Sequence, residues 1–563
     1  MSKLVLFLML SVAGISAENG SFINLNNSSG DVTLGNSLFN ITFHKNGKAQ
    51  SVYKNNVNLI DNISKNSQTW YLDWDGGKGY FHPSKYEVIE DSSEKVHFRF
   101  IQEASLGNLN IEFHLVVLSN VSGLYQYIKV SNPTNATIGL GEFRTVYRFD
   151  HNLMPKVTNI VESGITPNLT GRPTIQDTTW QLADGTYWSK YDFCGYIRET
   201  PWFGVYGGGF GGWIISASRE YHSGGPLKQD LLVHHDSLMA NYFHSGHFGT
   251  PGLEAPPGWS KFYGPYLVYI NTGSEKQVRE GVAKQALIEQ ARWPYSWLVD
   301  KEYPQTRGSV YGEVEGQTKA MVVVYSSIEQ EFDLQTLGYL YHEETDVNGR
   351  FIINNIRPGS YQIVAYPLAG QASENVARKN ISIIAGENQN IGSLFLPEPT
   401  NILWSLGETN RKSSEYRYSD EHRSFYWHFV PPANQTFTIG SSRVDKDWYY
   451  AQTRTPGTWS IAYNDKFDNK NRTLRVAFAA ASKSSVSDPA LTAAIDIEVN
   501  GHQVGHFAYE NDKTIYRDAL QSGNFHPEKM TVPARQIVNG QNVISFNLLR
   551  GMVMYDAISL ASE

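Results

Sequence analysis

Two side chains able to move protons lie in one aromatic- and glycine-rich stretch, residues 182–251. Lys190 stands in the run YWSKYDF, two residues after Trp188, and His247 stands in HSGHFGTP. An imidazole exchanges protons near neutral pH, and an amine becomes a base once burial or a nearby cation lowers its pKa. The flat face of Trp188 suits the face of a sugar. The stretch therefore predicts acid/base chemistry on a carbohydrate, although a surface cation–π contact is the simpler interpretation of Lys190 alone.

The run GEFRTVYR at residues 141–148 places two arginines on one side of a predicted strand. Successive strand side chains point to opposite faces, so Arg144, Val146 and Arg148 share a face. Two guanidiniums on one face can hold a carboxylate, and they would also lower the pKa of a neighbouring lysine. A solvated strand with two ordinary arginines explains the pattern equally well. The run therefore indicates a candidate site for an acidic sugar.

Two further residues of the stretch are candidates for substrate contact. Tyr242 lies on the predicted strand that leads to His247. Lys228 follows the pair Gly224-Gly225, where the backbone can approach a ligand closely. A solvent-facing position explains Lys228 as well.

Histidines are frequent here, but their spacing matches no metal motif. His234, His235 and His244 precede His247, and the single cysteine, Cys194, has no CxxC partner. We therefore predict that catalysis requires no metal or other cofactor and that Cys194 is a buried, apolar residue. A structural calcium ion is compatible with the sequence, but no motif indicates one.

The composition is that of a globular protein with a net negative charge. The 563 residues are 41% hydrophobic, 13% aromatic and 18% charged, with a formal net charge of −8. This balance argues against a nucleic-acid partner, although a locally basic groove could still hold an acidic polysaccharide. Residues 1–17 resemble a secretory signal peptide, and no later apolar run has the length of a membrane span. With its many Asn-x-Ser/Thr sites, the chain is expected to be a secreted, extracellular, monomeric glycoprotein with no membrane partner.

Short alternating runs punctuated by Gly, Asn, Asp and Pro predict an all-β protein of several domains. A large antiparallel β-sandwich is expected over residues 18–300, a small sandwich over 301–395 and a jelly roll over 396–563. The jelly roll is a fold that often binds glycans, which makes it a candidate sugar-binding domain.

Sustained helical periodicity is predicted only for Glu275–Ala291. Its apolar residues are expected on one face: Val278, Val282, Ala286, Leu287 and Ala291. Asn348-Gly349 and Asn500-Gly501 each predict a β-hairpin turn.

Four long motifs, in this order, resemble those of the rhamnogalacturonan lyases of polysaccharide lyase family 4. They are GEFRTVYR, LADGTYWSKYDF, GGPLKQDLLVH and NYFHSGHFGTP. The resemblance covers essentially the whole chain. It implies a galactose-mutarotase-like β-sandwich, a fibronectin-III-like domain and a C-terminal carbohydrate-binding-like jelly roll.

The same resemblance implies an activity and roles for the residues above. Lyases of this family cleave the rhamnose-α-1,4-galacturonate bonds of rhamnogalacturonan I, the backbone of one class of pectin, by β-elimination. The matching positions imply Lys190 as the base and His247 as the acid. Arg144 is the first choice for binding the uronate and Arg148 the second, while Tyr242 matches the tyrosine that precedes the histidine.

Two other function classes remain open at this level. A glycoside hydrolase needs two carboxylates flanking one bond, and Glu142, Asp192, Asp230 and Glu254 are candidates with no pair singled out. A non-catalytic glycan-binding protein would keep the aromatic residues but has no need of Lys190. The ultraviolet absorbance of an unsaturated uronate end distinguishes a lyase from both.

Overall fold

The computed structural model describes residues 20–60, 69–104, 109–316, 319–326, 330–371, 376–421, 429–453 and 455–563. Within these residues, strands dominate and form three successive groups of sheets, here called the N-terminal, middle and C-terminal units. The predicted all-β, multidomain fold class is confirmed. The predicted signal peptide lies outside the described residues.

The N-terminal unit is built around a nine-stranded antiparallel sheet. In spatial order its strands are Ser163–Ile165, Lys156–Thr158, Trp202–Gly207, Phe210–Ile215, Ser260–Thr272, Gly123–Ser131, Asn110–Leu118, Lys95–Gln102 and Lys85–Asp91. A five-stranded sheet packs against it, in the order Val233–His234, Leu238–Ser245, Glu142–Arg148, Trp70–Trp74 and Gly79–Tyr80. We call the second sheet the site sheet, because most of the candidate residues lie on it or on the connections around it.

Smaller sheets complete the N-terminal unit. One has five strands: Phe22–Asn26, Asp31–Asn36, Phe39–Phe43, Ala49–Lys54 and Val57–Asn58. The others are Thr174–Gln176 with Thr179–Gln181 and Tyr187–Ser189, Ile138–Leu140 with Leu253–Ala255, and Cys194–Tyr196 with Gln229–Leu231. Short 3-10 turns occur at Asp75–Gly77 and Lys190–Phe193.

Alternation along the strand Glu142–Arg148 separates the core of the N-terminal unit from the candidate site. The odd-numbered side chains point inward. The Phe143 ring packs edge-on against Tyr263 of the large sheet, with centroids 5.5 Å apart, and the Tyr147 and Tyr266 hydroxyls are hydrogen-bonded at 2.8 Å. The even-numbered ones, including Arg144, point to the opposite face of the site sheet. Burying a large apolar side chain is worth about 1.5–3 kcal/mol, so the inward residues fix which way the arginines face.

The long helix, Glu275–Arg292, lies where the periodicity predicts it. Ser274 caps its first turn in a capping box with Gln277. Two of the predicted core residues are wrong, because Leu287 and Ala291 are exposed. The helix instead buries Glu289, whose carboxylate accepts hydrogen bonds from two tyrosine hydroxyls of the core.

The middle unit has two sheets, and the C-terminal unit has two larger ones. The middle sheets are Arg350–Ile356, Gly308–Glu315 and Asn388–Phe395, and then Leu340–Glu344, Ala320–Ser326, Gly359–Pro367 and Ala377–Ile383. The first C-terminal sheet is Ile402–Gly407, Met552–Ser562, Arg472–Ser482 and His526–Val532, with Ala451–Gln452 paired to Met552–Ser562. The second is Gln435–Thr438, Gly457–Asp465, Gly540–Arg550, Thr492–Val499 and His502–Glu510. Short helical turns lie at Val444–Asp447, Ile515–Arg517 and Ala534–Gln536.

The two Asn-Gly turns behave differently. Asn500-Gly501 joins two strands that pair antiparallel with Val499 opposite His502, as predicted. Asn348-Gly349 instead joins strands that belong to different sheets, so the predicted hairpin there is wrong. The dipeptide sets a local turn in both places, but the pairing partners are set by the rest of the unit.

Candidate active site

On the outer face of the site sheet, Arg144 contacts Asp73 and Tyr242, and its Nη1 also lies 3.3 Å from Glu142 Oε2. Its Nε and Nη2 atoms donate to Asp73 Oδ1 and Oδ2 at 2.8 and 3.1 Å, a bidentate pair. Its Nη1 donates to the hydroxyl of Tyr242 at 2.7 Å, across the register that sets Arg144 opposite Tyr242. Asp73 lies on the adjacent strand and is 1% exposed. Sequence reasoning missed Asp73, which precedes Arg144 by 71 residues.

Arg148 shares the face of Arg144 but makes separate contacts. Its Nε lies 3.5 Å from Asp236 Oδ2, and its Nη1 donates to the Tyr71 hydroxyl at 3.4 Å. Four residues of strand separate the two Cα atoms by about 13 Å. The structure therefore shows two arginines on one face, each beside its own carboxylate. They do not form a single carboxylate-binding site together.

Lys190 begins the 3-10 turn Lys190–Phe193, which follows a short strand. The turn has a capping box: the Ser189 side chain accepts a hydrogen bond from a backbone N–H of the turn, and the Asp192 side chain accepts one from the Ser189 backbone N–H. The Lys190 amine lies 5.0 Å from the centre of the Tyr191 ring. Burial lowers the pKa of this amine below its ordinary value. Of the predicted neighbours, Arg144 lowers it further, so the predicted direction agrees although burial is the larger cause.

Two carboxylates, Asp177 and Glu142, act on the Lys190 amine in the opposite direction and raise its pKa. Asp177 precedes the short strand pair that leads to the turn, and it accepts a hydrogen bond from the Tyr191 hydroxyl at 2.8 Å. No hydrogen-bond acceptor lies within bonding distance of the Lys190 amine among the residues that the structure describes. The amine is thus left to contact a ligand.

His247 lies between two carboxylates at the end of the strand Leu238–Ser245. Its Nε2 is 3.1 Å from Glu142 Oε1, and its Nδ1 is 4.0 Å from Asp230 Oδ1. The ring packs edge-on against Tyr242 and Tyr191, with centroid distances of 5.3 and 6.2 Å. Burial lowers the pKa of His247 well below its ordinary value, and nearby cations add to the effect. The Lys190 amine and the His247 ring therefore both lie beside the ring of Tyr191.

Lys228 is 3% exposed and is bonded inside the protein. Its amine donates to the Ser245 backbone oxygen at 2.8 Å and to Thr250 Oγ1 at 3.1 Å, and it lies 3.5 Å from Asp230 Oδ2. Ser245 Oγ in turn donates to Asp230. Burial raises the pKa of Asp230 to about 6, with Lys228 acting against it. Lys228 thus supports the His247 loop, and direct contact with a ligand stays a prediction.

Trp188 lies at the far side of the Lys190 turn. It is packed in the core of the N-terminal unit, 5.8 Å from the ring of Trp180 and 5.9 Å from that of His235. At 8% exposure, little of its surface is open to a ligand. Its role in sugar stacking stays a prediction. Cys194 is buried as predicted.

The site has no arrangement typical of a resident metal. Within the described ranges, no group of three or more His, Cys, Asp and Glu side chains could hold a metal ion. In the same part of the chain, no helix combines the length and apolarity needed to cross a membrane. The site instead offers a base, an imidazole and several guanidiniums, which suits proton transfer beside a carboxylate-bearing ligand.

Two family models match the chain. Polysaccharide lyase family 4, domain II, matches residues 315–391, and domain III of the same family matches residues 402–560. The first match falls on the middle unit and is to a fibronectin-III-type domain. The second falls on the C-terminal unit and is to a carbohydrate-binding-like domain. Both agree with what the motif resemblance implies.

Whole-chain relatives agree with the family models. The rhamnogalacturonate lyase of Dickeya dadantii (strain 3937) is 40% identical over 539 residues, which cover 94% of this chain and 93% of that protein. A probable rhamnogalacturonate lyase B of Aspergillus terreus is 22% identical over 651 residues, covering 97% and 98%. A solved galactose mutarotase-like protein from Lactobacillus casei ATCC 334 is 12% identical and covers 43% of this chain and 100% of that one, with a TM-score of 0.28. That score is too low to argue a shared fold, so the mutarotase-like fold of the N-terminal unit stays a prediction.

Proposed function

The chain belongs to polysaccharide lyase family 4 and is a polysaccharide lyase, and from this premise we propose that it cleaves rhamnogalacturonan I. The proposed reaction is β-elimination at rhamnose-α-1,4-galacturonate bonds, leaving an unsaturated uronate end. The observation that carries the proposal is that Lys190 and His247 both lie beside the Tyr191 ring, with Arg144 bonded to the Tyr242 that packs on His247. The substrate named for the Dickeya relative supports the choice of polymer.

Lys190 is the proposed base. It takes the proton from C5 of galacturonate, the electron pair forms the C4=C5 double bond, and the C4–O bond breaks. A base must be neutral before it reacts, and burial among aromatic rings favours the neutral amine. The lack of an internal acceptor for this amine, among the described residues, is consistent with a group kept for substrate.

Arg144 is the first choice for holding the uronate carboxylate, with Arg148 second. A guanidinium has five N–H donors, and Asp73 and Tyr242 take three of those of Arg144. Of the other two, the one on Nη1 lies beside Glu142 Oε2, and the one on Nη2 is proposed to bind the uronate. Hydrogen bonds to the carboxylate neutralise the charge that grows as the C5 proton departs. Arginine therefore supplies what a divalent cation would supply elsewhere, and the proposal includes no metal cofactor.

His247 is the proposed acid for the leaving oxygen of rhamnose. An alkoxide is a poor leaving group, so protonating it lowers the barrier. Glu142, 3.1 Å from Nε2, stabilises the protonated imidazole against the burial that disfavours it. Tyr242 packs against the same ring and orients it.

The same proposal places the enzyme outside the cell as a monomer. The signal-like residues 1–17 and the Asn-x-Ser/Thr sites support secretion, and the net charge of −8 disfavours a nucleic-acid partner. A secreted lyase needs no partner beyond its polysaccharide.

Incubation with purified rhamnogalacturonan I tests the proposal. The wild-type protein should produce ultraviolet-absorbing unsaturated uronate ends, and homogalacturonan, which lacks rhamnose, should yield none. Lys190→Ala and His247→Ala should each lose about 10²–10⁴-fold in rate while still binding the polymer. Lys156→Ala, at an exposed lysine paired with Glu275, is the matched control and should keep full activity. Absence of unsaturated ends with the wild-type protein would refute the proposed activity, and saturated ends would indicate hydrolysis.

A further inference from the structure

The C-terminal unit docks a segment against the Lys190 turn. This segment starts with the 3-10 turn Ile515–Arg517. Gln229 of the N-terminal unit holds it at two points, donating to the Ser522 backbone oxygen at 2.6 Å and accepting from the Leu520 backbone N–H at 2.7 Å. Ala519 is fully buried in the same apolar cluster as Tyr191 and Tyr242. The segment is therefore packed into the site rather than lying over it.

Arg517 extends from this segment and links the two proposed proton-transfer groups. Its Nε donates to Asp177 Oδ2 at 2.7 Å, and its Nη1 donates to the backbone oxygen of His247 at 3.3 Å. Its guanidinium lies 5.5 Å from the centre of the Tyr191 ring, and the Lys190 amine contacts the same ring. One side chain thus contacts the loop of the proposed acid, the ring beside the proposed base and the carboxylate that faces that base.

The charges around Lys190 come from several elements. The groups that face its amine, besides Tyr191 and His247, are Asp177, Glu142, Arg144, Arg517, His234 and His235. Burial is the main cause of the lowered pKa of Lys190, and Arg517 adds to it more strongly than Arg144 does. Burial also dominates at His247, where Arg517 is the strongest of the nearby cations. The charge of Arg517 is therefore felt by both groups.

We propose that Arg517 is a positioning residue that holds Lys190 and His247 in their working arrangement, so that the active site is shared between the N-terminal and C-terminal units. This inference rests on the lyase activity proposed above. It gives the C-terminal unit a part in the reaction in addition to any binding of sugar.

The pH dependence of kcat/KM on rhamnogalacturonan I oligosaccharides tests this role, because its acid-side limb reports loss of the proton from the base of the free enzyme. Arg517→Met removes a cation that lowers the pKa of Lys190, so the limb should move to higher pH by about one unit. Arg517→Lys keeps the charge and should move it less. Asp177→Asn removes an anion that raises the same pKa, so the limb should move the opposite way, to lower pH.

Arg411→Ala is the matched control. Arg411 also joins the C-terminal unit to another unit, through an ion pair of 2.9 Å with Asp333, but it makes no contact with Lys190 or His247. Its limb should stay at the wild-type pH even if the rate falls. Opposite shifts for Arg517→Met and Asp177→Asn support the inference, since general damage cannot produce both signs.

A lower kcat/KM with unmoved limbs in the Arg517 and Asp177 variants would overturn it, because Arg517 would then only brace the interface. If Arg517→Met does not fold, Arg517→Gln, which also removes the charge, is compared with Asp177→Asn by the same criterion. Failure of the proposed activity is distinct from both results, because it is seen in the wild-type protein alone.

Discussion

The contact between Glu142 and His247 leads to the sharpest prediction for the chemical step. In Glu142→Gln, the protonated imidazole loses an opposite charge 3.1 Å from its Nε2. With an effective dielectric constant of about 20, that attraction is about 5 kcal/mol. The amide oxygen of Gln still accepts a hydrogen bond worth about 1.5–3 kcal/mol, which leaves a net loss of about 2–3.5 kcal/mol. If His247 is the acid, kcat should fall by about 30- to 400-fold at a pH above the base-side limb, because less of the imidazole then carries a proton.

The sign of the pH effect follows from the same charge. Glu142 favours the protonated form of His247, so its removal lowers the pKa of the imidazole further. The base-side limb of kcat, which reports loss of the proton from the acid, should therefore move to lower pH by about 1.5–2.5 units. The assay is the initial rate of formation of unsaturated uronate ends from rhamnogalacturonan I across pH. Glu254→Gln, at an exposed carboxylate of the strand Leu253–Ala255, makes the same chemical change and should leave both limbs in place.

Two outcomes would refute this reasoning. An unchanged kcat and base-side limb would mean that His247 does not deliver the proton. A faster variant would mean that Glu142 holds the imidazole away from the substrate, so that the contact at 3.1 Å opposes the reaction instead of assisting it.

Two further predictions concern stability and substrate binding. Glu220→Gln should lower the free energy of unfolding, measured by urea denaturation, by about 3–5 kcal/mol, because it leaves the buried Arg307 and Arg357 without their carboxylate. The control, Glu275→Gln, changes an exposed ion pair and should lower it by less than about 1 kcal/mol. Burial alone would raise the pKa of Glu220, but the two arginines hold this pKa below 4.5. The ionised carboxylate therefore stabilises the fold above pH 4.5, and this stabilisation is lost as the pH falls through the pKa of Glu220 in the folded protein. The Glu220→Gln variant should not show this loss of stability at low pH. Arg144→Lys should raise KM by about 10- to 100-fold, because lysine cannot keep the bidentate contact with Asp73 that holds the side chain in place. Arg148→Lys should raise KM by less than about threefold. The reverse order of the two effects would assign the uronate to Arg148.

Alternation along one strand was enough to predict the placement of the two candidate arginines. The period of two in GEFRTVYR places Arg144 and Arg148 on one face, and the structure shows them there because Phe143 and Tyr147 occupy the core. The predicted lowering of the pKa of Lys190 also agrees with the structure. The shared face of the two arginines is a local feature, so a short window of sequence contains its cause. The pKa of Lys190 depends in addition on burial and on Arg517 of the C-terminal unit.

The partners of these residues could not be predicted in the same way. Arg517 contacts Asp177 across 340 residues, and no periodicity or spacing records a contact between separate units. Leu287 was expected in the helix core because it is apolar, yet it is exposed while Glu289 is buried, since two tyrosine hydroxyls pair with that carboxylate. Such positions depend on what the neighbouring elements bring, which a single stretch of sequence does not contain.

The proton balance of the proposed elimination gives a further reason for the lowered pKa of Lys190. Each turnover removes one proton from C5 and gives one to the leaving oxygen, so it leaves Lys190 protonated and His247 without its proton. The next turnover needs the reverse of both states. A lysine with its ordinary pKa is almost wholly protonated at neutral pH, whereas burial and the charges of Arg517 and Arg144 increase the fraction of Lys190 that is neutral.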